Sequence, residues 1–261
     1  MNNSGIRHPR STARARSGAV TACALLSLAV LTGCGGSDNG DSAATDVSPS
    51  ASAEETSTAA SPVKPLTAAE LEKAALVKAD LTGYEVATPA KAEISAAEGV
   101  KVSGEECLPL GRALAGTAAG EPVATAHRRV TGAVSEEAAT DINTGMVTLA
   151  SYASVDEATS ALKSVADAVT ACAGGFQWTA AGEQLDASKV TKGTAPKAGE
   201  EAVAFTAVTP VDGVGAPWKV VVFRDGATLA HFTVANVAAM TSGKDFTFPA
   251  DLVTAQADKL A

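Results

Sequence analysis

The sequence predicts an α+β fold, a single domain built on an antiparallel sheet of about five to six strands with helices packed on it, behind a disordered tether. Two observations predict it. Helices with readable start signals interrupt the chain, and the strand-like runs between them are joined mostly by short turns rather than by the crossovers that parallel strands need. A length of 261 residues allows one large or two small domains, and no internal repeat divides it. Of these residues 46% are hydrophobic, but 57 are alanine, so little bulky side chain is available and the core is expected to be modest.

Residues 1–33 read as an export signal. Arg7, Arg10, Arg14 and Arg16 precede an acid-free apolar run from Ala19 to Leu31, too short for a membrane span of roughly 20 residues. The run ends in Leu31-Thr32-Gly33-Cys34, which resembles the lipobox of bacterial lipoproteins. That resemblance implies acylation of the Cys34 thiol and cleavage before it. The mature chain then carries 16 basic and 29 acidic residues, a formal charge of −13. Such a body is held to the membrane by lipid, not by charge. The lipid anchor places it on the extracytoplasmic face of the cell membrane. No Lys/Arg run or aromatic-basic interleaving offers a track for phosphates, so nucleic acid is excluded as a partner.

Residues 34–62 are the tether. After Cys34 they hold five acids, no base and one apolar residue larger than alanine, Val47. Such a segment cannot bury enough surface to offset its ordering entropy.

The folded domain occupies residues 63–261. Thr67-Ala68-Ala69-Glu70 has capping-box spacing and opens a helix expected to end before Gly83. A weak extended stretch follows Tyr84, and Cys107 to Leu114 reads as a short helix. Strands are expected at about 122–131 and 143–152, the second with Met146, Thr148, Ala150 and Tyr152 on one face and Val147 and Leu149 on the other. Ser154 to Glu157 is a second capping box. It leads into a stripe of Ala158, Ala161, Leu162, Val165, Ala168, Val169 and Cys172 at helical spacing. Gly174-Gly175 stops that helix, Phe176 to Trp178 forms a short strand, and residues 180–200 read as polar and irregular. Strands at about 202–209, 217–224 and 227–236 follow. Asp225-Gly226 suits a type I′ turn, which pairs Phe223 with Thr228 and Val220 with His231. A last helix begins with Pro249 at its first position and carries Leu252, Val253, Gln256 and Leu260.

Cys23 leaves with the signal and Cys34 takes the lipid, so Cys107 and Cys172 are expected to form one disulfide in an oxidising compartment. Neither Cys-x-x-Cys spacing nor neighbouring histidines suggest a metal or redox site, and no cofactor is expected. The chain has no Gly-x-Ser-x-Gly elbow, His-Glu-x-x-His motif or phosphate loop, so the expectation is a non-enzyme. The compact basic cluster His127-Arg128-Arg129 reads as a solvated strand balanced by Glu136 and Glu137, or as a holder of an anion. Trp178, Trp218 and His231 are the candidates for ligand contact, since amphipathic rings often line clefts. For each, packing in the core is the competing reading.

The segments ALKSVADAVTACAGGF (Ala161 to Phe176), GEEAVAF (Gly199 to Phe205) and WKVVVFRDGATLAHFTVAN (Trp218 to Asn236), followed by the closing amphipathic helix, resemble exported actinobacterial lipoproteins. They are also distantly similar to the extracellular sensor domain of PknH-type Ser/Thr kinases. The resemblance covers about residues 66–261 and implies a sensor-like binding module at the cell surface, with an unknown ligand. The chain departs from those kinases in showing no kinase or transmembrane segment, and in having cysteines for one disulfide where they use two. Three functions stay open: a lipid-anchored ligand-binding domain with a concave site, an envelope structural or protein-interaction lipoprotein with a flat apolar patch, and an enzyme with His127 or His231 beside a carboxylate in a cleft.

Overall fold

The structure, a computed structural model, describes residues 64–132 and 141–261. The signal segment, Leu31 to Cys34, the tether, Glu136 and Glu137 lie outside the described residues. No helix among the described residues is long and apolar enough to cross a membrane.

Among the described residues ten strands form two antiparallel sheets. The central sheet contains β1 (Tyr84–Ala87), β3 (Ala124–Gly132), β4 (Asn143–Ser151), β7 (Lys189–Lys192), β8 (Glu201–Val211), β9 (Val214–Asp225) and β10 (Thr228–Asn236), in the order β1-β3-β4-β10-β9-β8-β7. The small sheet contains β2 (Lys101–Val102), β5 (Phe176–Ala180) and β6 (Glu183–Ala187), in the order β2-β5-β6. The central sheet is thus larger than the five to six strands expected, because part of the polar stretch 180–200 is paired. β6 and β7 read as loop because they are short edge strands. Charged, exposed side chains such as Lys189 and Lys192 are what an edge uses against unwanted pairing, and they erase the apolar alternation that marks interior strands.

β10 is the middle strand, flanked by β4 and β9, and all nine of its residues are buried. Its alternate residues feed two cores. Leu229 joins Ala150, Tyr152, Val220 and Val222 on one face, packed with α2 (Leu108–Leu114), α3 (Val155–Ala171) and the small sheet. Ala230, Phe232 and Val234 join Val147, Leu149, Val221 and Phe223 on the other, packed with Leu71 of α1 (Ala68–Ala74) and Leu252 and Val253 of α5 (Ala250–Leu260). There the Phe223 and Phe232 rings stack, with centroids 6.0 Å apart. α4 (Val237–Ser242), which has no counterpart in the sequence reading, starts where the Asn236 side chain accepts from the Ala239 amide.

The start signals act as expected, with differences at the ends. Thr67 and Glu70 form a full capping box. Ser154 accepts from the Glu157 amide, but the Glu157 carboxylate accepts from Ala153 instead of closing the box on Ser154. α1 stops at Ala74, well short of Gly83, because side chains from elsewhere take its last carbonyls. The buried Arg128 guanidinium donates to the Glu72 and Leu76 carbonyls and pairs with the Glu72 carboxylate at 2.8 Å, and the Gln256 amide donates to the Ala74 carbonyl. Pro249 is the residue before α5, not its first member.

The turn at residues 225–228 is corrected. Asp225 pairs with Thr228 and Val222 with His231, so the loop is Gly226-Ala227, and of these only Gly226 has a left-handed φ. That is the pattern of a II′ corner rather than I′. The I′ pattern appears one hairpin earlier, where Asp212 and Gly213, both with positive φ, join Val211 to Val214. Moving a loop by one residue moves the pairing by two, which keeps every side chain on its own face. The hydrophobic pattern therefore cannot tell the two registers apart.

Cys107, just before α2, and Cys172, at the C-cap of α3, form the expected disulfide, with Cα atoms 5.9 Å apart.

Candidate functional site

The α2 face of the central sheet carries three successive cross-strand rows of side chains. The first runs Thr131, Thr144, Ala235, Trp218, Ala207; the second Arg129, Met146, Thr233, Val220; the third His127, Thr148, His231, Val222. The end of α2 covers this face. Thr233 donates its hydroxyl to the Ala113 carbonyl at 2.6 Å, and Thr148 donates to the Gly116 carbonyl at 2.7 Å. Gly116 has a φ of +69°, and a Cβ there would meet the Met146 side chain at about 3.0 Å, so the chain leaves the helix close against the sheet only because this residue is glycine.

Beyond that cover the first two rows are left partly open. Leu114, Ala115 and Gly116 form one wall of a groove of about 230 Å³, and Arg129, Met146, Trp218 and Thr233 are among the residues of the other. Trp218 sits between two alanines, Ala235 and Ala207, which leave its ring room. Its indole N–H is buried with no acceptor in the protein. Arg129 pairs with Glu93 across the groove's rim, and with about half its side chain exposed it keeps donors of its guanidinium for other acceptors. The groove thus combines a flat ring, a thioether and a cation, and the unpartnered indole N–H is buried beside it.

The third row is closed. His231 is 1% exposed, neither ring nitrogen has a hydrogen-bond partner, and burial, reinforced by His127, pushes its pKa down to about 3. It is a neutral core residue. His127 is half-buried, and burial lowers its pKa as well, outweighing the attraction of Glu72. Its Nδ1 lies 3.0 Å from the Thr148 hydroxyl oxygen. That hydroxyl's one proton goes to Gly116, so His127 donates from Nδ1. Among the described residues neither histidine forms an ion pair with a carboxylate.

The structure therefore brings two of the three ring candidates, Trp218 and His231, to one face, with only Trp218 in the groove. Trp178 is on the small sheet, 7% exposed among Phe176, Ala180 and the α2–α3 core, and its N–H also lacks a partner. The basic cluster divides by strand alternation: Arg128 is buried on the α1 face, while His127 and Arg129 share the α2 face. Met146, Thr233 and Gly116 carry no signal in the sequence that marks them as groove residues; only the row register assembles them. Among the described residues no group of three or more His, Cys, Asp or Glu is placed to hold a metal.

No family model matches the chain, and no curated protein matches it. Among solved structures it is similar to the extracellular domain of PknH from Mycobacterium tuberculosis, with 12% identity, a TM-score of 0.48, and coverage of 76% of this chain and 97% of that one. This is a distant resemblance to the domain type the sequence also resembles.

Proposed function

We propose that this chain is an exported lipoprotein, held by acyl groups on Cys34 at the extracytoplasmic face of the membrane, whose sensor-like domain binds a small molecule in the groove beside Trp218. The observation that carries the binding reading is that Trp218, whose buried indole N–H has no partner in the protein, and Arg129 line one groove. Together they suit a small ligand with an apolar ring or chain and an acceptor or anionic group. The Cys107–Cys172 disulfide supports an oxidising location. An interaction lipoprotein would use a flat apolar patch; among the described residues the exposed large hydrophobics are three valines on separate segments, Val77, Val123 and Val237.

The test uses the full chain purified from its native host. Native mass spectrometry is expected to show an adduct that Arg129→Ala and Trp218→Ala each remove. In Trp178→Phe, where Trp218 is the sole tryptophan, denaturing-free removal of that adduct is expected to shift the fluorescence. A wild-type chain that carries no adduct and whose Trp218 emission ignores native envelope extract overturns the binding reading. The anchor is tested separately. Cys34→Ala is expected to abolish acylation and release the chain from membranes; variant chain that stays membrane-bound in normal amount, with the signal removed, overturns it.

A further inference from the structure

We infer that a second cavity, on the opposite face of the central sheet from the Trp218 groove, binds a small amphipathic carboxylic acid. Its floor is two cross-strand pairs, Ala204 with Val221 and Thr206 with Lys219. Ala204 and Val221 belong to the core shared with α1 and α5, which sets this site on that face. Its cover is irregular chain, including Ala195 and Pro196 after β7 and Thr247 and Phe248 before α5.

The cavity measures about 330 Å³, room for roughly ten water-sized groups at about 30 Å³ each. Protein interiors seldom leave such a space beside apolar side chains. Here the small Ala204 keeps the floor low, and Phe248 lines the space with it. The walls are mostly apolar, so the tail of a ligand would be taken up by burial of its hydrocarbon.

The head group is set by charge. Among the described residues no carboxylate lines the cavity, and Lys219 is the one cation that does. The Lys219 ammonium stands 5.1 Å from the centre of the Phe246 ring and 2.9 Å from Asp245. The two partners differ in exposure, with the Lys219 side chain 18% exposed and that of Asp245 78%. An exposed acid is a weakly held partner. Lys219 lines the cavity, and its flexible stem can carry the ammonium from the exposed Asp245 to a ligand carboxylate there, while Asp245 returns to water. Thr194, Thr206 and Thr247 supply the remaining polar lining, which suits a single polar head and leaves a sugar or a cation without partners.

The experiment is calorimetric titration of the full chain with octanoate and with octan-1-ol, which share a tail and differ in head. Octanoate is expected to bind one to one, at least tenfold more tightly than the alcohol. Lys219→Met is expected to weaken octanoate at least tenfold and leave the alcohol unchanged. Ala204→Leu, which fills the floor, is expected to abolish both; should that variant fail to fold, Thr247→Trp, on the exposed cover, closes the mouth instead. Trp218→Ala leaves octanoate binding intact, which separates this site from the groove on the other face. No octanoate binding by folded wild-type chain overturns the proposal. So does octanoate binding that survives the filled or closed cavity, and so does equal binding of acid and alcohol that ignores Lys219.

Discussion

Replacing His231 by leucine is expected to make the protein more stable at neutral pH and to remove part of its acid sensitivity. The ring is 1% exposed in the middle strand of the sheet, with both nitrogens unpartnered, so the folded state strongly prefers it neutral. Its folded pKa, about 3, lies below the ordinary value of 6.5 that applies in the unfolded chain. As pH falls through 6.5 the unfolded chain takes up a proton that the folded chain refuses. Stability is therefore present above pH 6.5 and lost progressively toward pH 3. Between pH 7 and pH 5 the linkage amounts to about 2 kcal/mol. His231→Leu deletes this share, and by removing two buried unsatisfied nitrogens it adds about 1 to 2 kcal/mol at pH 7. His127, also lowered by burial, keeps its own contribution in both proteins, so the difference between them isolates His231. The assay is urea unfolding of wild type and variant at pH 7 and pH 5. A variant that loses as much stability as the wild type over that interval refutes the reasoning, as does an imidazole NMR titration placing His231 near 6.5 in the folded state.

Other expectations follow from the packing. Changing both Cys107 and Cys172 to serine opens a closure between residues 65 apart and is expected to cost about 4 kcal/mol in the chain-entropy account; an unchanged urea midpoint argues against it. Arg128→Ala strands the Glu72 carbonyl of α1 and the Leu76 carbonyl just beyond it, with an expected loss of about 3 kcal/mol by thermal unfolding. Arg128→Lys is expected to recover less than half, because one ammonium cannot reproduce the guanidinium's fork, and full recovery contradicts that account. Ala181 holds a φ of +51° at an exposed β5–β6 turn, so Ala181→Asn is expected to gain about 1 kcal/mol, and a loss in the same melt refutes the strain assignment.

Much of the local structure is legible in the residues. α3 follows from an uninterrupted apolar stripe and a serine at its start, and the two faces of β4 follow from strict alternation, because both signals repeat at the period of the backbone itself. The disulfide is legible by elimination among four cysteines. The Trp218 groove is not. Trp218 is visible as a candidate, but Arg129, Met146 and Thr233 come from three other strands, and nothing local to any of them records that they share a row or that α2 stops short of covering it. The end of α1 is similar, since the groups that terminate it, Arg128 and Gln256, are over 50 and 180 residues away.

By itself, then, the sequence determined the antiparallel α+β class, the two faces of β4, and the pairing of Cys107 with Cys172, because each rests on periodicity or on composition. The tertiary structure decided the strand order that sets β10 between β4 and β9, the exact corner at Gly226, and which open spaces remain on each face. Those depend on how distant surfaces fit. Alternatives such as a two-residue shift of pairing satisfy the same hydrophobic pattern, and only the packed whole distinguishes them.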